Sequence, residues 1–286
     1  MRSNRTIILH LLPGILLAAA LLACRPVAPT GPVVPLDQAH AHNDYEHDRP
    51  LHDALDHGFT SVEADVYLVN GQLLVAHDEE DVQENLTLQS LYLDPLRERV
   101  RQNGGQVYPG GHQFTLLIDV KSEAEETYQA LRQVLKEYEE ILTTFSSDGQ
   151  TDGAIIAIIS GNRPRETMAS EAIRHAAYDG RLEDLESNAA ATLIPLISDK
   201  WTSHFTWKGK GDMPERERQK LHDIVETAHR QGQRVRFWAT PDDRSQAREA
   251  VWRELVSASV DLINTDDLEG LQQFLLEFES AHPATE

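Results

Sequence analysis

Segments rich in β-branched and apolar residues alternate with stretches of helical period along most of the chain. The pattern predicts strands at Gln38–His42, Ser61–Val69, Phe114–Lys121, Ala154–Ser160, Ala176–Tyr178, Leu193–Ser198, Val235–Ala239 and Leu262–Asn264, with Gln72–His77 as a returning hairpin strand. Helical periodicity covers Leu51–Asp56, Ser90–Gln102, Glu123–Leu142, Arg165–His175, Pro214–Gln231, Arg244–Ser257 and Leu268–Glu279, and an insert runs from Asp199 to Asp212. Eight strands with helical crossovers, no composition break and no repeat predict an α/β fold. The prediction is a single (β/α)8 barrel over residues 37–286 with a small hairpin after strand 2. A doubly wound open sheet is the alternative, but no Gly-rich phosphate loop follows the first strand. In a barrel the chemistry belongs at strand C-termini.

The chain start reads differently. Residues 1–23 hold no acid, and Arg2 and Arg5 precede an apolar run from Ile7 to Ala23. That run is short for a membrane span of about 20 residues and suits a secretory leader. Its end, Leu21-Leu22-Ala23-Cys24, resembles a bacterial lipobox, which implies cleavage before Cys24 and lipidation there. Residues 24–36, with Pro26, Pro29, Pro32 and Pro35 at three-residue spacing, predict a polyproline tether. The expectation is a bacterial lipoprotein of the outer membrane or cell surface, in contact with the membrane only through its lipid.

Composition narrows the function. Of 286 residues 40% are hydrophobic and 26% charged, values that exclude disorder as the main state. Lys plus Arg number 26 against 47 Asp plus Glu, a formal net charge of −21. Such a surface repels polyanions, so nucleic acid is excluded as a general partner, and a phosphate-bearing substrate needs a local cation. The single cysteine excludes internal disulfides and cysteine-based metal clusters.

The chemistry-bearing residues gather at predicted strand ends. Strand one ends in His40-Ala-His42-Asn43-Asp44, strand two carries Glu63-Ala-Asp65, the hairpin returns to His77-Asp78, and strand three ends in Asp119-Val-Lys121. Spacing of two puts each pair on one face of its strand. Glu63, Asp65 and Asp119 without a counter-charge would repel, and an all-oxygen set suits a hard divalent ion, Mg²⁺ or Ca²⁺. His42 and His77 titrate near neutrality and suit an acid–base pair, while Lys121 adds fixed positive charge. For His77 to face Glu63 the hairpin needs a three-residue Val69-Asn70-Gly71 loop with a G1 bulge; a two-residue turn puts Ala64 opposite it. His40 is open to two readings, a structural histidine or, with His42, half of a His-x-His metal pair. Trp238 suits a pocket wall or the core. Asp242-Asp243 reads as a helix start, as does the run Glu123, Glu125, Glu126.

Ala-His42-Asn-Asp, Ser61-Val-Glu63-Ala-Asp65-Val, Asn70-Gly71-Gln-Leu-Leu-Val-Ala-His77-Asp78 and Leu-Ile-Asp119-Val-Lys121 resemble the glycerophosphodiester phosphodiesterases and, more broadly, the phosphatidylinositol phospholipase C-like TIM barrels. The His-Asn-Asp-Tyr opening is most similar to the altered-inheritance-of-mitochondria subgroup. Arg236-Phe-Trp238 and Ile263-Asn-Thr-Asp266 resemble the family's last two strands. The resemblance implies metal-dependent phosphodiester hydrolysis, with attack by a neighbouring substrate hydroxyl and a cyclic phosphate that can then be hydrolysed. It implies His42 and His77 as acid–base pair, Glu63, Asp65 and Asp119 as metal ligands, and Lys121 at the phosphate; Asn43 and Trp238, at strand ends, are further candidates for contact with the substrate. Two departures stand out: Asn43-Asp44 replaces the family's Arg-Gly, and Asp119 replaces a glutamate. The expected partner is a small-molecule or lipid-headgroup phosphodiester, met by a monomer. The alternatives are an amidohydrolase or PHP-type metal hydrolase and a non-catalytic, surface-anchored metal- or ligand-binding barrel.

Overall fold

The structure, a computed structural model, describes residues 33–146, 149–187 and 189–282. The leader, Cys24 and most of the proline tether lie outside the described residues. Among the described residues no helix is long and apolar enough to cross a membrane.

Twelve strands form among the described residues, in chain order: β1 Leu36–Ala41, β2 Phe59–Val69, β3 Gln72–Val75, β4 Phe114–Val120, β5 Thr144–Ser146, β6 Gly149–Thr151, β7 Ile155–Gly161, β8 Ile173–Arg174, β9 Ala177–Gly180, β10 Leu196–Lys200, β11 Arg234–Trp238 and β12 Leu262–Thr265. Eight of them pair in parallel in the order β1-β2-β4-β7-β9-β10-β11-β12, and β12 pairs back to β1, which closes the barrel. The helices are α1 His52–Asp56, α2 Asp94–Gln102, α3 Ala124–Lys136, α4 Arg165–Ser170, α5 Trp201–His204, α6 Glu215–Arg230, α7 Gln246–Ser257 and α8 Leu268–Ala281. The (β/α)8 architecture is therefore the one the alternation predicts, and β3 is the expected antiparallel hairpin strand.

Strand alternation separates two cores. On β4, Leu116, Ile118 and Val120 pack outward with helix residues such as Leu131, Leu221 and Trp252, whereas Leu117 joins Ile156, Ile158, Ala177, Leu196 and Leu262 in an inner cluster. Strands buried on both faces read as nearly continuous apolar runs. Toward the C-terminal ends of the strands the inner layer gives way to His40, Glu63, Asp65, Asp179, Ser198, Arg236 and Asn264, all buried, while at the other end Arg234 donates to Thr115 Oγ1 at 3.1 Å.

Several boundaries differ from the sequence reading for local reasons. The first strand starts at Leu36, whose side chain is buried in the outer core, and Val33 before it also packs against that core. Helix α3 stops at Lys136, and Leu142 instead bridges to Ile155. Arg165–His175 is not one helix, because Ile173–Arg174 pairs with Phe145 and Ser146 to make a side sheet of β5, β6 and β8. β10 begins only after Pro195, which has no N–H to give a ladder. Glu123 caps α3 by accepting the Glu126 N–H at 2.8 Å, as its acidic start suggests. Asp242-Asp243 starts no helix; Ser245 caps α7 instead.

The hairpin corrects a sharper expectation. Val69 pairs with Gln72 across Asn70 and Gly71, both with left-handed backbone at φ 50° and 80°. This is a two-residue type I′ turn without a bulge, favoured because its twist matches the strands and Asn-Gly tolerates positive φ. The register therefore points to Ala64, not Glu63, as the residue opposite His77. The strand ends at Val75, Ala76 N–H makes a last 3.3 Å bond to the Asp65 carbonyl, and the chain then leaves the sheet.

Candidate active site

The barrel mouth brings most of the predicted residues together. Glu63, Asp65 and Asp119 offer carboxylate oxygens that all lie within 4.8 Å of one another. Among the described residues this is the one cluster of three or more His, Cys, Asp or Glu groups with such geometry. Lys121 reaches between two of them, with Nζ 2.9 Å from Asp65 Oδ2 and 3.1 Å from Asp119 Oδ1. Burial disfavours the lysine's charge, but Asp119 and Asp65 more than offset this and hold it protonated. Burial, and then the charge of Glu63, push Asp65 up to about 6 and raise Asp119 as well. Asp65 Oδ1 is buried and has no hydrogen-bond partner among the described residues. A buried carboxylate oxygen left in this way is costly and fits a cation ligand.

Glu63 has partners that the sequence reading did not assign to the site. Arg236, inward on β11, donates to Glu63 Oε2 through Nη2 and to Asn264 Oδ1 through Nε at 2.8 Å. Burial raises the Glu63 carboxyl, but the Arg236 guanidinium reverses this and holds it well below the usual range. His40, fully buried, lies 2.7 Å from Ser61 Oγ and 3.2 Å from Glu63 Oε2. Burial, reinforced by Arg236, lowers it to about 3, so the ring is neutral. A carboxylate only accepts, so Nε2–H donates to Glu63 and Nδ1 accepts from Ser61. Both ring nitrogens are thus engaged, and His40 is a structural residue that orients Glu63 rather than half of a His-x-His metal pair.

The two remaining histidines are held in different ways. His42 Nδ1–H donates to Asp266 Oδ1 at 2.7 Å; burial would lower its pKa, but this bond and the Glu63 charge raise it overall. Asp266 is itself placed by its N–H bond to Asp242 Oδ2 at 2.7 Å. His77 reaches the site from outside the sheet, with Nδ1 3.0 Å from the Tyr45 hydroxyl and 3.6 Å from Asp65 Oδ2. Asn43, left-handed at φ 48°, turns the chain so that Tyr45 faces back to Asp65 at 2.7 Å and to Asn43 Oδ1 at 2.9 Å. Tyr45 has one proton, and burial and Asp65 keep it a phenol. With that proton given to the Asp65 carboxylate, the hydroxyl is free to accept from a His77 Nδ1–H, the tautomer in which Nε2 carries the lone pair. His77 remains accessible, its side chain 54% exposed.

Trp238 stands apart from the carboxylates on the far rim, its ring centre 5.4 Å from Lys200 Nζ. Asn43 joins the site only through Tyr45. Tyr45, Arg236, Asn264 and Asp266 complete the constellation. Inward alternation on β11 and β12 was the signal for Arg236 and Asn264, since each lies on the same face as its strand's other inward residues.

Comparison with known proteins follows this geometry. The AIM6-like phosphodiesterase domain matches residues 29–179, and the glycerophosphoryl diester phosphodiesterase family matches residues 234–269. The altered inheritance of mitochondria protein 6 homolog of Arthroderma benhamiae is 29% identical over 269 residues, 85% of either chain. Altered inheritance of mitochondria protein 6 of Eremothecium gossypii is 29% identical over 270 residues, 84% of this chain and 69% of its own. A glycerophosphoryl diester phosphodiesterase structure from Parabacteroides distasonis shares the fold with a TM-score of 0.50 at 12% identity, over 91% of this chain and 90% of that one. The sequence relatives are fungal, which overturns the expected bacterial, lipid-anchored envelope location. That expectation rested on the apolar run and Cys24, which a local pattern can mimic without any lipid anchor.

Proposed function

Because the chain belongs to the AIM6-like phosphodiesterase domain family, we propose that it hydrolyses phosphodiesters, using a divalent cation, Mg²⁺ or Ca²⁺, at Glu63, Asp65 and Asp119, and His77 and His42 as base and acid. The observation that carries this reading is the tight group of three carboxylates with a buried Asp65 oxygen that has no hydrogen-bond partner among the described residues, flanked by His42 and His77. Charge balance supports it. Three carboxylates face two fixed cations, Lys121 and Arg236, so the mouth carries about one net negative charge and repels a phosphodiester. A divalent cation reverses that sign and leaves the complex with a singly charged diester near neutral.

The ion supplies Lewis-acid stabilisation of charge on the phosphoryl oxygens. Lys121 adds a donor at the same place and stays charged through its acidic neighbours. His77, with Nδ1–H held by Tyr45, takes the proton from the attacking hydroxyl through Nε2. That hydroxyl is the substrate's neighbouring alcohol, which gives a cyclic phosphate, or water. His42, whose pKa the Asp266 bond raises against the effect of burial, gives a proton to the leaving oxygen. The substrate class is a small-molecule or lipid-headgroup phosphodiester.

The test is release of product from a panel of glycerophosphodiesters with different headgroups, with Mg²⁺ or Ca²⁺ and with EDTA. Turnover abolished by EDTA and restored by the cation is expected. Absence of EDTA-sensitive turnover across the whole panel overturns the proposal.

A further inference from the structure

The rim opposite His42 carries positive charge that the chemistry above does not use. Alternation places Arg181 two residues beyond the inward Asp179, Lys200 two beyond inward Ser198, and Trp238 two beyond inward Arg236. Lys200 and Trp238 are direct register partners on β10 and β11. In a chain of net charge −21, two cations at the open end of a barrel, beside an aromatic face, are out of keeping with the rest of the surface.

Nearby acids take up only part of this charge: the buried Asp179 pairs with Arg181, and Lys200 is left without a carboxylate partner among the described residues. Asp179 is buried and accepts from Ser160 Oγ at 2.7 Å, Ser198 Oγ at 2.6 Å and Arg181 Nη1 at 2.8 Å. Asp199 accepts from the Lys200 and Leu182 backbone N–H groups and lies 3.2 Å from His204 Nε2. Lys200 has no carboxylate at ion-pair distance among the described residues; its one contact there is the 5.4 Å approach to Trp238. Arg181 uses only Nη1 for its side-chain bonds, to Asp179 and to the Gly180 carbonyl. Its Nε–Nη2 edge, the fork that takes an oxyanion in bidentate fashion, has no partner among the described residues. Arg181 follows β9 directly and Lys200 ends β10, its neighbour, with Ile197 opposite Gly180, so the two residues stand at adjacent strand ends of the same mouth.

We propose that Arg181 and Lys200, beside the Trp238 ring, form a second anion-binding subsite that selects phosphodiesters bearing a phosphomonoester on one alcohol arm. The inference rests on the phosphodiesterase reading of this mouth. A phosphomonoester near neutrality carries close to two negative charges, which suit the Lys200 ammonium together with the open donor edge of Arg181, whose own charge Asp179 balances. A singly charged carboxylate matches them less well, and a quaternary-ammonium arm is repelled.

The test compares glycerophosphoglycerol with the same diester phosphorylated on its terminal hydroxyl. Binding is measured by calorimetry in EDTA, and kcat/KM with Mg²⁺ or Ca²⁺. The added phosphate is expected to tighten binding by about tenfold or more, as for charge-assisted contacts at a partly solvated site. The preference should shrink as salt rises from about 0.05 to 0.5 M, since screening shortens with ionic strength. Lys200→Ala should cut the preference severalfold and Lys200→Glu abolish it. Arg181→Ala should do the same, but Arg181 also serves Asp179, so the exposed Lys200 variants decide if that protein fails to fold. Lys136→Ala, on the outer face of α3, should leave the preference intact. Equal binding of the two ligands by the wild type, or an undiminished preference in both Lys200 variants, overturns the subsite. A preference in binding without turnover of either diester retains the subsite and overturns the phosphodiesterase reading instead.

Discussion

Replacing Arg236 with Met removes the guanidinium paired directly with Glu63. Arg236 is 3% exposed and Glu63 5%, so no solvent takes over when the guanidinium goes. Removing one partner of a buried ion pair typically costs about 3–5 kcal/mol. For a domain of this size each kcal/mol moves Tm by about 2–4 °C, so Arg236→Met should melt about 6–20 °C below wild type in EDTA at pH 7. The sign of the pH effect follows from the pair. In the wild type Glu63 is held low, so its contribution is present above its unfolded value of 4.5 and lost as pH falls through the folded value. In Arg236→Met burial dominates, the folded value rises above 4.5, and stability falls as pH rises through it. The gap between the two proteins should therefore widen from about pH 4 to 8. Urea denaturation of wild type, Arg236→Met, Glu63→Gln and the double variant measures this directly. The double variant should lose clearly less than the sum of the singles, because the glutamine amide carries no charge to strand. An Arg236→Met protein within about 1 kcal/mol of wild type at pH 7, or strict additivity, would overturn this account of the pair.

Three further outcomes test other parts of the site. His42→Ala and His77→Ala should each lower kcat by about 10²–10⁴, while calorimetric cation binding persists because carboxylates hold the ion. Full activity in either variant removes that residue from the mechanism. His40 is neutral in the fold, its value lowered to about 3, so its contribution is present above 6.5 and lost as pH falls; urea stability should drop by about 2 kcal/mol from pH 7 to 5, and His40→Gln should flatten that slope. Gly161 has left-handed backbone at φ 66°, and a side chain there would run into Asp119 Oδ1 and the Val120 carbonyl, so Gly161→Ala should weaken cation affinity at least tenfold by calorimetry.

The barrel was legible because eight apolar runs of strand length alternate with helical periods, and a parallel strand buried on both faces cannot hide that pattern. The carboxylates and Lys121 were legible too, since spacing of two on a strand fixes a shared face. What spacing does not reveal is which charge meets which across the lumen. Arg236 and Glu63 are far apart in sequence, and only closure of the ring puts them in contact. His40 shows the same limit: its neutrality comes from complete burial beside Arg236, a property of the closed barrel and not of the His-x-His string. Asp242 likewise reads as a helix start, yet its oxygens serve Thr265 and Asp266 across the β12 loop. The lipobox reading failed for the opposite reason, because a short apolar run and one cysteine form a local string that no long-range contact constrains.

His77 joins the site for a reason other than strand register. The type I′ turn sets a parity that would turn His77 away from Glu63, yet His77 still meets Tyr45 and stands near Asp65. Two departures from regular structure bring this about. The hairpin strand stops at Val75, which frees the next residues from alternation, and left-handed Asn43 swings Tyr45 under the freed histidine. Tyr45 then does what a paired strand neighbour would have done: it holds the ring in place through Nδ1. Asn43 is one of the few residue types that adopts this backbone without large strain and also offers an acceptor to the Tyr45 hydroxyl. An arginine there would be more strained in the same turn. On this argument Asn43-Asp44, where the glycerophosphodiester phosphodiesterases carry Arg-Gly, is the counterpart of the Tyr45–His77 contact.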